Sequence, residues 1–405
     1  MLYYIDMNLK KQNITKYCIW AAIFLSLALS ISSYKLIPFE NPDGLDFQNM
    51  YAYSVCDKEL EQKFNNNIYL AGGLDCGDAM GRAFVYPPLL FYSTYWVGSF
   101  KSFESARLTW RVFIVIGLIV SLFLWSSNIR NFLFCVPFVL LLFLQFPLLF
   151  ALERGNNDIL VVILWSLAFY FYKKENFFLT GALAVSCVFM KVYPLFAFGV
   201  ISIGFLVDFI KYEKREVLRY LWGVIISSTI ILLAFRELWF SWLLRVSQFS
   251  GRTMTASHLN HSMQYLFDLN VIGKLLFLIL VALWGAHFIY ANRENRITSF
   301  AGALALTTYF SPVSYDYNLI TTYPLFYVLT ERLIKKFDIK TGAVLLLLLV
   351  GIALHRGLFF WGDLSGFKFH LFLQVLALIL IAMNDLPLWK VKHYYQYLKS
   401  KWELL

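Results

Sequence analysis

The chain has 405 residues, of which 60% are hydrophobic and 19% aromatic but only 15% charged. A soluble protein of this length is nearer half apolar and a quarter charged, so the composition excludes an ordinary soluble fold and points to a membrane protein. The formal net charge of +10 does not point to nucleic acid, because the basic residues stand in short clusters between apolar runs, the pattern of cytoplasmic loops in membrane proteins.

In chain order, apolar runs lie near 18–37, 105–126, 132–150, 157–172, 177–190, 193–210, 220–235, 271–290, 297–310, 319–334, 341–359 and 367–384. A helical span needs roughly 17–25 residues, so the expectation is an all-α polytopic bundle of about twelve transmembrane helices. The first run is long and has no small-residue cleavage site after it, so no cleaved leader is expected. Lys10, Lys11 and Lys16 precede the first run, Arg130 follows the second, and Lys173 and Lys174 follow the fourth. "KYEKREVLR" (211–219), "NRENR" (292–296), "ERLIKKFDIK" (331–340) and "KVKHYYQYLKSK" (390–401) continue the series. Basic clusters at every second connection predict both termini inside and a single transmembrane unit over 1–405.

The connections left outside are 38–104 and those around 150–156, 190–193, 236–270, 310–318 and 355–366. They carry much of the Asp, Asn, Gly, His and Pro. The first outer loop, 38–104, is long for a simple connection, and loops of that length are usually functional or disordered. "LTWR" and "YPPLLFYSTYW" are too aromatic for disorder and predict interfacial helices on the outer leaflet. Pro87 and Pro88 suit the start of one such helix, with Tyr86 fixed just before it. Cys56 and Cys76 share this loop, where an oxidising compartment favours a disulfide that would stabilise the loop by roughly 3 kcal/mol; two free thiols are the alternative. Cys18, Cys135 and Cys187 fall in apolar runs, where Cys acts as a small hydrophobe.

The same loop holds the first group of acids, Glu40, Asp43, Asp46 and Asp57. Asp46 reads either as a helix cap or as a carboxylate with a chemical role, and Asp43, before Gly44, reads as a turn residue. Further polar constellations stand at outer ends of runs: "LERGNND" (152–158), "MKVYP" (190–194), "SHLNHSMQYLF" (257–267) and "YFSPVSYDYNLI" (309–320). Arg154 has Glu153 and Asp158 as structural partners in reach, Lys191 could extend to the headgroups, and Asn260 is a natural helix cap. His258 and His261 have a ligand-like spacing but no third ligand, so no metal site is expected.

These elements, in this order, resemble glycosyltransferase family 87 within the C-type membrane glycosyltransferases. Members carry an early aspartate in the first outer loop, a Tyr-x-Pro element and an Arg-Gly-Asn/Gln element opening a span. Lys-x-x-Pro, Asn-x-Ser and Ser-Pro-x-Ser-aromatic elements follow. The matching residues are Asp46, Tyr86 with Pro88, Arg154-Gly155-Asn156, Lys191 with Pro194, Asn260 with Ser262, and Ser311-Pro312-Val313-Ser314-Tyr315, a stretch covering 46–318. The last element departs from the family: Tyr315, Asp316, Tyr317 and Asn318 stand where members often have Trp and histidines.

The resemblance implies transfer of a sugar, mannose as first expectation, from a polyprenyl-phosphate donor to a glycolipid or lipid-linked glycan acceptor. Transfer would take place at the outer face of a bacterial inner membrane, with inversion and without metal or cofactor. Inversion needs a base for the acceptor hydroxyl, and Asp46 is the candidate. The leaving lipid phosphate needs cations, for which Arg154, Lys191, His355 and Arg356 are placed at outer run ends; Arg in particular suits bidentate phosphate contact. Tyr86, Asn156, Asn157, Asn260, His261, Tyr315, Asp316 and Tyr317 are the expected substrate contacts. A transporter is the competing class, but residues 1–200 and 201–405 show no repeat of the kind transporters carry. A flippase or polymerase for lipid-linked glycans would use the same lipid.

Overall fold

The computed structural model describes residues 16–28, 45–78, 81–212, 216–250, 296–310 and 316–360. The described residues are helical, with no strand among them. The elements are α1 (Lys16–Ala28), α2 (Leu45–Val55), α3 (Asp57–Phe64), α4 (Pro88–Thr94) running into a 3₁₀ turn (Tyr95–Ser99), α5 (Phe103–Trp125), α6 (Ile129–Phe143), α7 (Phe146–Arg154), α8 (Asp158–Lys173) and α9 (Phe177–Met190). They continue with α10 (Leu195–Tyr212), α11 (Glu216–Ala234), α12 (Arg236–Ser250), α13 (Arg296–Phe310), a second 3₁₀ segment (Asp316–Thr322), α14 (Tyr323–Lys335) and α15 (Ile339–Phe360).

Helix positions follow the apolar runs, but helix lengths do not always reach a span. Among the described residues, Phe103–Trp125 and Glu216–Ala234 are long and apolar enough to cross a membrane. The pair Ile129–Phe143 and Pro147–Arg154 makes a third if a bend of 62° is counted inside one span. Other apolar helices, such as Lys16–Ala28 and Phe177–Met190, are shorter. The runs at 271–290 and 367–384 lie outside the described residues.

Two local differences have clear causes. The run 132–150 is not one helix. It breaks at Leu144–Gln145, where Pro147 sits in the first turn of α7 and lacks the N–H that a continuous helix would need. The Gln145 side-chain amide donates both to the Leu141 carbonyl of α6 and across to the Leu27 carbonyl at the end of α1, each at 3.2 Å. Secondly, the expected outer connection 236–270 begins with a helix, α12. Arg236, Glu237 and Arg245 interrupt its apolar pattern, which hid it from a search for hydrophobic runs.

Packing is set by small residues and by indole hydrogen bonds. A Cβ on Gly181 of α9 would lie 2.2 Å from the Tyr220 carbonyl oxygen, and one on Gly223 of α11 would lie 2.0 Å from the Phe178 carbonyl oxygen. These two helices therefore meet backbone to backbone, as helices in membranes do at small-residue contacts. Trp125 of α5 donates to the Ser166 hydroxyl of α8 at 2.8 Å. Trp165 of α8 donates to the Phe300 carbonyl of α13 at 2.9 Å. Both indoles are fully buried, and burial of an N–H is tolerated here because each has an acceptor.

The segment from α2 to α4 forms a second, smaller core. Tyr53, Cys56, Ile68, Tyr69, Phe84 and Phe91 are buried there, with Trp242 of α12 packed in from the far side. Cys56 and Cys76 are joined by a disulfide. Trp242 donates to the Val85 carbonyl at 3.0 Å and Arg245 to the Ala71 carbonyl at 2.9 Å, so α12 closes this unit.

Candidate functional site

Asp46 lies in the first turn of α2, where the free N–H groups of a helix start favour a carboxylate. Helix α2 is held from both sides. Its Phe47 ring packs against Trp110 and Phe103, at 6.0 and 5.7 Å between centroids. Its Asn49 amide donates to Asp78 at 2.7 Å and to the Arg82 carbonyl at 3.0 Å. Its Tyr53 hydroxyl donates to the Ala71 carbonyl at 3.2 Å.

The Arg-Gly-Asn element explains itself physically in this setting. Arg154 is the last residue of α7, and Gly155 follows it with φ +66°, a conformation that glycine adopts without strain. The Asn156 N–H returns to the Ala151 carbonyl at 2.9 Å and closes the turn. A Cβ on Gly155 would lie 2.4 Å from the Phe47 Cβ, so only glycine lets α2 settle onto this turn. The Gly155 carbonyl is fixed by the Trp110 indole at 3.0 Å. As a result Asp46 and Arg154, 108 residues apart, meet as a two-pronged pair: Nη2 to Oδ1 at 2.7 Å and Nε to Oδ2 at 3.1 Å. Asn156 adds a long contact to Oδ2 at 3.5 Å. Phe150 lies under the guanidinium, 5.7 Å from its ring centre.

One turn further on, a second carboxylate organises a second set. Asp158 opens α8 and is fully buried. Its own N–H donates to the Asn156 side-chain oxygen at 2.8 Å. Its carboxylate accepts from the Lys191 ammonium, from the Tyr193 hydroxyl at 2.8 Å and from the Asn318 amide. Lys191, buried just past the end of α9, also has the Tyr86 and Tyr193 rings at 5.2 and 5.7 Å. Cation and ring faces attract at such distances. Tyr86, just before α4, stands in the field of both carboxylates. Burial pushes its phenol above the ordinary value, Asp46 and Asp158 push it further, and Arg154 and Arg82 pull it back. The Asn157 amide donates to the Met50 sulfur at 3.4 Å, while its carbonyl oxygen is buried with no hydrogen-bond partner among the described residues.

Of the residues singled out from the sequence, Asp46, Tyr86, Arg154, Asn156, Asn157 and Lys191 thus come together at one end of the bundle. Arg154 is paired with Asp46, and Lys191 is held by Asp158 instead of reaching outward. His355 and Arg356 fall in α15, and Asp316 and Tyr317 in the second 3₁₀ segment, where backbone alone is described. Asn260, His261 and Tyr315 lie outside the described residues. Sequence reasoning missed Asp158, Tyr193 and Asn318. Asp158 closes the "LERGNND" stretch and Tyr193 lies inside "MKVYP", so both stood in motifs already noted. No group of three or more metal-ligating side chains occurs among the described residues. Two carboxylates, one guanidinium and one ammonium leave the assembly charge-balanced. Each ion has the opposite partner that burial demands.

No protein-family model matches this chain, and neither a curated protein nor a solved structure shows significant similarity to it.

Proposed function

We propose that the protein is an inverting C-type glycosyltransferase of the bacterial inner membrane. In this reading about twelve spans form the bundle, both termini are cytoplasmic and the site faces outward. A sugar, mannose in the first instance, passes from a polyprenyl-phosphate donor to the hydroxyl of a glycolipid or lipid-linked glycan. The observation that carries the reading is the convergence of Asp46, Arg154, Lys191 and Tyr86. They come from four segments far apart in sequence, and they gather at the end of α8 opposite to the one where Lys173 and Lys335 reach the Ser126–Ser127 turn. Helix α8 has 16 residues, and at 1.5 Å per residue the two ends are about 24 Å apart.

The chemistry divides between the two acids. A carboxylate has about four lone-pair positions. On Asp158 three of them are taken by Lys191, Tyr193 and Asn318, and it has no exposure. Asp46 holds one guanidinium that an incoming phosphate can attract in the same two-pronged way. Donor binding then draws Arg154 onto the phosphate and frees Asp46 to take the proton of the acceptor hydroxyl as the new bond forms. Arg154 and Lys191 stabilise the charge growing on the leaving phosphate. The unpaired Asn157 oxygen is an acceptor suited to a sugar hydroxyl. A buried acceptor left unfilled costs about 1–3 kcal/mol, which a substrate donor recovers.

Purified full-length protein incubated with a panel of polyprenyl-phosphate sugars and scored for donor consumption tests the reading. Turnover of at least one donor that depends on Asp46 is the expected result. No turnover of any, together with vectorial movement of an intact lipid-linked glycan in vesicles, would replace it with the flippase class.

A further inference from the structure

Asp158 is a fully buried ion with three side-chain partners, and the sequence assigned it no part in the site. It joins the start of α8, the segment after α9 and the second 3₁₀ segment through Lys191, Tyr193 and Asn318, which lie 33, 35 and 160 residues away. An ammonium has three donors. Among the described residues Asp158 takes one, while Tyr86 and Tyr193 face the cation with their rings. Lys191 is only 6% exposed. Without a carboxylate beside it, a charged ammonium at this depth is costly.

We propose that Asp158 is a positioning residue for the phosphate half of the site. It keeps the Lys191 ammonium charged and seated between Tyr86 and Tyr193, with two N–H donors left for an anionic lipid phosphate. It acts through Lys191 and takes no proton itself. This rests on the reading above that a lipid phosphate binds here.

The two can be separated with one probe, undecaprenyl phosphate, and the full-length protein in detergent, with binding followed by native mass spectrometry. Undecaprenol and inorganic phosphate serve as control arms. Wild type is expected to bind the lipid phosphate more tightly than undecaprenol or inorganic phosphate. Asp158→Asn is expected to weaken that binding about tenfold, and Lys191→Gln by a similar factor. A charge-assisted hydrogen bond of this kind is worth roughly that much. The double variant should be no weaker than Lys191→Gln alone, because both remove one interaction. Tyr193→Phe takes a single hydrogen bond from Asp158 without changing charge, and should weaken binding about threefold; it carries the test if Asp158→Asn does not fold. Normal binding by Asp158→Asn and Tyr193→Phe, or additive losses in the double variant, would overturn the positioning role while leaving the phosphate site intact. Equal losses for undecaprenol would overturn it as well. Failure of wild type to bind the lipid phosphate would remove the site itself, and with it the role.

Discussion

The two ends of α8 both carry buried charge, and they are built in different ways. At its start, Asp158 and Lys191 pair across 33 residues, and Asp46 and Arg154 across 108. At its far end, Glu331 and Lys335 are neighbours on the same helix, four residues apart, at 2.7 Å. The Ser127 hydroxyl donates to Glu331, and Lys335 to Ser127 at 2.7 Å. Lys173 closes the turn by donating to the Ser126 carbonyl at 3.1 Å. The Lys335 side chain is 46% exposed, against 7% for Lys191. A local pair with a wet cation ties a turn to a helix end. A dry pair assembled from distant segments constrains the whole bundle and leaves ion chemistry where a ligand can use it. Burial with long-range assembly, and not the mere presence of ions, separates the candidate site from a structural clamp.

That contrast can be broken by stability measurements, taken as thermal unfolding midpoints of the full chain in detergent. Asp158→Ala should be the most damaging change, at about 3–5 kcal/mol, because it leaves a buried cation unpaired. A loss below that of Lys335→Ala would remove the distinction between the two ends. Replacing Cys56 and Cys76 by serine should cost roughly 3 kcal/mol and loosen the unit that carries α2. Reduction of the wild type should then give the same shift. Gly155→Ala should cost about 2 kcal/mol through overpacking against Phe47 and should also separate Asp46 from Arg154, so activity is expected to fall more than stability. Lys335→Ala should cost less than about 1 kcal/mol, as half-exposed ion pairs do.

Much of the fold could be read from hydrophobicity, since α5, α8, α9 and α11 begin and end within a few residues of the expected runs. The break at Gln145 could not, because Pro147 lies within an apolar stretch that looks continuous to a hydropathy window. Helix α12 was missed for a different reason: Arg236 and Glu237 interrupt its apolar pattern, and Arg245 reaches the distant Ala71 carbonyl, a contact that no local pattern displays. The members of the site were legible one at a time, as polar residues at ends of runs. Their pairing was not. Arg154 has Asp158 four residues away, a natural helix-spaced partner, yet the turn at Gly155 sends the guanidinium to Asp46 and leaves Asp158 for Lys191.

The central claim is that Asp46 is the base that takes the acceptor proton, freed when a donor phosphate engages Arg154. Asp46→Asn keeps the size and most of the hydrogen bonding but cannot accept a proton. Turnover of a polyprenyl-phosphate sugar by Asp46→Asn, measured beside its donor affinity, tests this most directly. A fall in turnover of about 10²–10⁴-fold is expected, with donor binding unchanged or tighter because Arg154 has lost its internal anion. Near-normal turnover by Asp46→Asn, or turnover and donor affinity lost together, would contradict it.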